Sequence, residues 1–456
     1  MPGARRDRPT TLGDPLSAIP EPAIRPIDHP GLLDRMEANP PPGPFRRGAW
    51  RSPIRGPWLT SVFASVLLAG LPVVIITGLL SYAAYEPRYG QAFPADPGYL
   101  RLPFFSWPVR PVWLYRANQG VHVTLGLALI PVVLGKLWSV IPKLFVWPPA
   151  RSVASLLERA SLLLLVGSIL FELVTGVLDI QYWYVFHFDF YTAHYYGAWV
   201  FIAAFVSHVA LKLPVMLRSL RSRRLRDELH TPLAETRPES PDPDGLVSPD
   251  PATPTMSRRG ALALVGGGSL VVTAVTIGQT LGDSVRPSAL LSARGRSYGD
   301  GPTDFQVNRT ARTAGITDAD TGAGYRLALR GATPVVLTRE QLLAMPQHTA
   351  TLPIACVEGW STVQTWTGVR LADLAAAAGV GNLDRAVVRS LEKHGAFGTA
   401  TLNRHQVLDT DALLALAVNG VDLSPDHGFP ARVIVPAAPG VHNTKWVREI
   451  EFVAAT

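Results

Sequence analysis

The chain holds a single cysteine, Cys356, in the run Leu352-Pro-Ile-Ala-Cys356-Val-Glu-Gly-Trp360-Ser361. One thiol cannot form an intrachain disulfide, a zinc knuckle or a cysteine-ligated iron–sulfur cluster. Alone it is usually a small buried hydrophobe, so its meaning depends on its company. Three histidines raise a different chemistry, because His122, His194 and His208 lie inside long apolar stretches. Imidazoles are costly to keep at membrane depth, which makes them candidates for metal ligation or another function there. His194 and His208 are fourteen residues apart. On a helix that spacing returns to within about 40° of the same face after about 21 Å, which suits two sites on one helix, one in each leaflet.

Only 17% of the 456 residues are charged, against about 25% in ordinary soluble domains. The net charge of +7 could point to nucleic acid. Here the arginines bunch beside apolar runs, which fits orientation in a membrane better, and no nucleic-acid partner is expected. Five apolar runs, Trp58–Ser81, Ala117–Val140, Ser155–Leu178, Ala193–Leu217 and Ala261–Gly282, are each long enough to cross a hydrocarbon core of about 30 Å. Residues 1–57 contain 13 prolines and read as a disordered cytoplasmic tail. Arg46, Arg47, Arg51 and Arg55 precede the first run, and Arg218, Arg221, Arg223, Arg224 and Arg226 follow the fourth. By the positive-inside rule the N-terminus is cytoplasmic and the chain beyond the fifth run is extracytoplasmic.

The second and fourth runs then both enter from outside, with His122 and His194 at matching depth near the outer end. They can approach one iron from opposite sides, as the axial ligands of a b-type haem. Gly126 and Gly197 share the faces of these histidines and leave room for a macrocycle. His208 has no histidine partner in the first or third run. It is a candidate for a second haem, a quinone contact or hydrogen-bonded packing. Lys136 reads as snorkelling to the cytoplasmic surface, and Glu172 has no assigned partner. Residues 58–217 resemble the four-helix membrane cytochromes b that accompany respiratory dehydrogenases.

Residues 218–257 read as a basic, proline-rich cytoplasmic linker. Ser257-Arg258-Arg259-Gly260, ahead of the glycine-bearing fifth run (258–282), resembles a twin-arginine export signal that stays as an anchor helix. Residues 283–456 change character. Short strands are expected at Pro334–Thr338, Leu352–Val357, Ala386–Leu391, Arg432–Pro436 and Arg448–Val453, with short helices at Leu371–Ala378 and Asp411–Val418. This describes a mixed, β-rich soluble domain.

Within it stand the cysteine run, then Trp366-Thr-Gly-Val-Arg-Leu371, Asp426-His427-Gly-Phe-Pro-Ala-Arg432-Val-Ile-Val-Pro436 and Lys445-Trp446-Val447. These segments closely resemble the molybdopterin-binding domain of the sulfite oxidase family over about residues 300–454. The resemblance implies a mixed α/β fold and a pterin-dithiolene molybdenum centre held by the thiolate of Cys356, a soft ligand suited to that metal. It also implies that His427, Arg432 and Lys445 hold the pterin and its phosphate, with Asn308 near the cofactor. Trp360 and Trp366 either wall the pocket or pack the core. His394-Gly-Ala-Phe397 and Arg404-His405 follow no family pattern. The arginines that surround the metal in sulfite-oxidising members are not identified.

The expected fold class is a multi-domain membrane protein: an α-helical transmembrane bundle of four helices plus a fifth anchor helix, followed by a mixed α/β, β-rich, sulfite oxidase-like molybdopterin-binding domain (283–456) outside a bacterial-type cell membrane. The expected function is oxygen-atom transfer on a small sulfur- or nitrogen-containing substrate, an S- or N-oxide or an oxyanion. Electrons would pass to or from a membrane quinone through one b-type haem, or two, with a redox partner protein as a further candidate. The rival reading is a haem-free, membrane-anchored binding or sensing module with a degenerate fold of this type.

Overall fold

The structure, a computed structural model, describes Gly3 and residues 31–101, 105–242, 245–393 and 398–455. Five long helices dominate the N-terminal part: α1 (Pro57–Ala84), α2 (Leu114–Leu144), α3 (Val153–Ile180), α4 (Phe190–Ser222) and α5 (Arg258–Ala274), the last prolonged by a short helix at Gly278–Leu281. All five spans are long and apolar enough to cross a membrane. Their outward faces are apolar too, with Ile76, Leu134, Leu211 and Leu270 exposed. A helix apolar on all sides belongs in a protein core or in lipid. α1 packs on α2 and α4, α3 packs on α2 and α4, and α5 lies against α2. Phe63, Leu71, Leu129, Val133, Ile169 and Phe201 fill the space between them.

The chain divides around the two ends of these helices. At one end, Ala84, Tyr115 and Trp107 of the loop between α1 and α2 pack with Ala355 of the C-terminal part. At the other, Trp58 Nε1 donates to Arg223 O at 3.0 Å and Trp147 Nε1 to Met36 O at 2.9 Å. Residues 31–57 therefore depart from the disordered tail expected of them. A helix spans Leu32–Ala38, Trp50 stacks on Phe145 at 5.7 Å, and Arg151 pairs with Glu37 at 2.6 Å. The aromatic residues among the prolines find partners on the loop after α2. The linker also departs from expectation. Its carboxylates Glu228 and Glu239 close on Arg258 at 3.4 and 3.8 Å, and Arg258 is only 1% exposed. The first arginine of the Arg258-Arg259 pair is thus enclosed by the segment that precedes it.

Among the described residues the C-terminal part carries ten strands: β1 (Leu327–Arg330), β2 (Val335–Leu337), β3 (His348–Ala355), β4 (Ser361–Arg370), β5 (Leu383–Ser390), β6 (Thr399–Asn403), β7 (Leu413–Val418), β8 (Val421–Asp422), β9 (Arg432–Ile434) and β10 (Val447–Ala454). They form two sheets, β2-β1-β10-β5-β6 and β3-β4-β7-β8, with β9 also paired to β7. Leu327, Leu329, Val388, Leu414, Val433 and Ile450 belong to one core. On β10, Ile450 and Phe452 face that core while Glu449 and Glu451 bond Arg389 outside it.

One expected helix is a strand. Asp411–Val418 reads as helical, yet Leu413–Val418 pairs with β4 on one edge and with β8 and β9 on the other. Leu-Leu-Ala-Leu-Ala-Val is buried almost throughout. A strand covered on both faces shows a continuous apolar run without a period of two, which pattern alone cannot tell from a buried helix.

Candidate functional site

Cys356 stands just past the end of β3, in the turn that reverses the chain into β4. Ala355 pairs with Ser361 at the base of this hairpin. Cys356 N donates to Trp360 O and Gly359 N to Cys356 O, both at 3.0 Å. Gly359 adopts φ +87°, a left-handed conformation in which other residues are strained. The turn thereby lifts the thiol out of the sheet into a narrow cleft that Gln306, Asn308, Trp360, Thr362 and Arg432 help to line. Burial pushes the free thiol above its ordinary pKa.

A second narrow cleft adjoins the first. Asn308, Arg432 and Gly440 border both, and Asn443, Thr444 and Lys445 extend the second. Arg432 opens β9, and this fixes its direction. It is 4% exposed, its Nη1 makes a long bond of 3.3 Å to His427 O, and its Nε has no hydrogen-bond partner. Burial holds its pKa down to about 9. Lys445 Nζ donates to the carbonyls of Arg309 and Asp426 at 2.8 and 2.7 Å. Asn443 Nδ2 and Thr444 Oγ1 are buried and have no partner among the described residues. Native interiors rarely leave donors unpaired. A cleft with a thiol at one end and unpaired or cationic donors along its length fits an anionic ligand carrying a thiol-binding metal.

The structure brings Asn308, Cys356, Arg432 and Lys445 to this cleft, but not His427. That ring stacks on Phe305 at 3.6 Å, Nε2 donates to Thr303 O at 2.8 Å, and burial among Arg432 and Lys445 lowers its pKa to about 3. Its buried Nδ1 has no partner among the described residues. Trp360 lines the cleft, whereas Trp366 is 0% exposed and packs the core. Arg404 bonds Asn382 and Leu383 O and is structural. His394–Phe397 lie outside the described residues. Sequence reasoning missed Asn443 and Thr444, whose only signal is adjacency to Lys445. It also missed Arg294, which stacks on Tyr182 and pairs with Glu358 at 3.4 Å in the cysteine turn. Burial raises the Glu358 carboxyl to about 8.

Among the long helices, His122 on α2 and His194 on α4 face each other, with ring centroids 6.3 Å apart. Nδ1 of His122 lies 3.0 Å from Val74 O. Nδ1 of His194 lies 3.0 Å from Thr175 Oγ1 and 3.2 Å from Glu172 Oε2. This engages one nitrogen of each ring, the arrangement that orients metal-bound imidazoles. Two metal–nitrogen bonds of about 2 Å plus the near halves of two rings come to about 6 Å, which matches the 6.3 Å separation of the ring centroids. The expected glycines are corrected in part. Gly126 meets open space, but Gly197 packs on Glu172 and Phe171. Gly78 and Gly176, unnoticed in the sequence, are the ones against the imidazoles. Glu172 gains His194 as its partner, and Lys136 Nζ reaches the first turn of α1, donating to Thr60 O at 3.0 Å. His208 makes no ring contact with another histidine among the described residues.

Residues 314–456 match the family described as the oxidoreductase molybdopterin binding domain. The chain is similar to the oxidoreductase YuiH of Bacillus subtilis (strain 168), 37% identical over 120 residues, covering 26% of this chain and 59% of that protein. Mitochondrial sulfite oxidase of Rattus norvegicus is 30% identical over 165 residues, 29% of each chain. NADH nitrate reductase of Volvox carteri is 30% identical over 161 residues, 28% of this chain and 18% of that protein. The chain thus spans less than two thirds of the length of each of these relatives. Its C-terminal part therefore carries a molybdopterin-binding oxidoreductase domain similar to that of sulfite oxidases and nitrate reductases. The matched stretch begins beyond Arg294, Gln306 and Asn308, and the long helices lie outside it.

Proposed function

We propose that this chain is a membrane-bound molybdenum-dependent oxidoreductase that moves an oxygen atom to or from a small sulfur- or nitrogen-containing substrate and exchanges electrons with quinone through a b-type haem. The observation that carries the reading is the cleft. Cys356 stands at one end, and donors without partners at Arg432, Asn443 and Thr444 run along it. Cys356 would bind the metal and Arg432 and Lys445 the pterin and its phosphate, with Asn308 beside them. When bound, that cofactor supplies two-electron oxygen-atom chemistry, and the protein positions it and excludes competing reactions.

The helices supply the electron partner in this reading. His122 and His194 hold one haem iron, while Val74 O and the Glu172–Thr175 pair orient the two rings. His208 stands apart, either packed or near quinone. The five helices cross the cell membrane with the arginine-rich ends inside, and the C-terminal domain lies outside, folded before export behind Arg258-Arg259. A haem-free sensing module with a degenerate cleft would have no use for a buried, underbonded arginine.

The test is an absorption experiment on protein purified in detergent. A Soret band is expected, and the haem's oxidation state should respond to candidate S- or N-oxides or oxyanions at a rate that depends on Cys356. Haem that is indifferent to every such substrate, in protein loaded with molybdenum, overturns the electron-transfer reading. Protein without a Soret band overturns the haem assignment.

A further inference from the structure

The cysteine turn is held by the helices as well as by its own sheet. Gln119, in the second turn of α2, donates through Nε2 to Val357 O, the carbonyl next to Cys356. Its Oε1 accepts from Ser81 Oγ at 2.7 Å, so the amide is oriented from both sides. Four residues on, Val123 lies directly under Gly359, where a Cβ would fall 2.8 Å from Val123 Cβ. Thr280, at the end of the fifth span, donates to Gly359 O at 2.6 Å and accepts from Ser361 Oγ at 2.5 Å. Arg116 in turn caps Thr280 O at 3.2 Å and Leu281 O at 2.5 Å. Gln119, Thr280, Gly359 and Ser361 belong to a buried, water-poor contact, with Gln119 3% and Ser361 1% exposed.

His122 lies inside the same helical turn, three residues after Gln119 and adjacent to Val123. One turn of α2 therefore touches the backbone beside Cys356 and carries an imidazole of the histidine pair. The geometry points to this turn, Gln119–Val123, as the electron contact between the two centres, with Gln119 as the positioning residue that fixes the Cys356 loop against the His122 helix. The inference rests on the proposed haem at His122 and His194. For each oxygen atom moved, two electrons cross the contact, one at a time. The oxygen atom and the protons stay with substrate and water on the cleft side, and quinone takes or supplies the electron pair on the helix side. A hydrogen-bonded amide across a packed interface couples the two parts without a mobile carrier between them.

Three variants test it. Gln119→Glu keeps the shape but removes the donor to Val357, Gln119→Leu removes both bonds, and Thr280→Val removes the bond to Gly359. Two readouts are taken on the full-length protein in detergent. In cofactor-free protein, hydrogen exchange of the 356–361 amides should speed up in all three. In loaded protein with unchanged molybdenum and haem content, electron exchange between the centres should slow by about tenfold or more in the Gln119 variants, the scale seen when groups supporting a metal site are removed. If Gln119→Leu does not assemble, the near-isosteric Gln119→Glu carries the test. Unchanged electron exchange, or unchanged protection of the loop, overturns the proposal. If the parent and the variants alike lack iron, the haem reading itself has failed, which this design separates from failure of the contact.

Discussion

Substituting Arg432 by Met separates ligand binding from stability, because the two effects run in opposite directions. The guanidinium is 4% exposed, makes one 3.3 Å hydrogen bond, lies 5.5 Å from the Trp366 ring centroid and leaves Nε without a partner among the described residues. Burial holds its pKa near 9, a displacement that at about 1.4 kcal/mol per pH unit amounts to several kcal/mol against the charged form. A methionine of similar length fills the space without charge. Replacing buried, poorly compensated charge with apolar atoms is worth about 1–4 kcal/mol. For a domain the size of residues 283–456, each kcal/mol moves the melting temperature by about 2–4 °C. Protein made without molybdopterin synthesis and unfolded thermally in detergent should therefore melt several degrees higher as Arg432→Met than as the parent. The same variant made with cofactor available should retain little molybdenum. If the cofactor-free variant melts below the parent, the guanidinium is a strut of the fold and the reasoning fails.

Three further outcomes are expected. His194→Ala should remove the Soret band whereas His208→Ala keeps one haem per chain, measured by absorbance per protein; loss of haem in both would assign His208 as a ligand. Gly359→Ala forces a side chain into φ +87° and against Val123, at a cost of about 2 kcal/mol or more. Its thermal unfolding should fall and its molybdenum content with it, and an unchanged melt would contradict the tight contact. His442 is 0% exposed, and burial lowers its pKa to about 4 from an ordinary 6.5. The unfolded chain then binds more protons between those values, so stability falls as pH drops from about 6.5 to about 4, by about 3 kcal/mol, and levels below. The melting temperature of the parent should fall relative to that of His442→Leu as pH drops through that window; parallel curves would contradict the sign.

What was legible in the sequence was whatever one segment encodes by itself. The five apolar runs and the Cys356 turn with its glycine are of this kind, as are the basic residues of the Arg432 and Lys445 segments. What was illegible depends on neighbours far along the chain. β7 hides its strand period because both faces are covered. Nothing near His427 in the sequence announces its stack on Phe305, more than a hundred residues earlier. Gly78 and Gly176 are ordinary helical glycines until the imidazoles arrive from other helices. The proline-rich linker carries no periodic signal, yet its Glu228 and Glu239 find Arg258. The Gln119–Val357 contact joins residues 238 positions apart and leaves no local trace.

Molybdenum and iron counted per chain in purified full-length protein, in the parent, Cys356→Ser and His122→Ala, test the central claim most directly. The expected result is both metals in the parent, iron without molybdenum in Cys356→Ser, and molybdenum without haem iron in His122→Ala. Molybdenum retained undiminished in Cys356→Ser, with full turnover, would contradict the account.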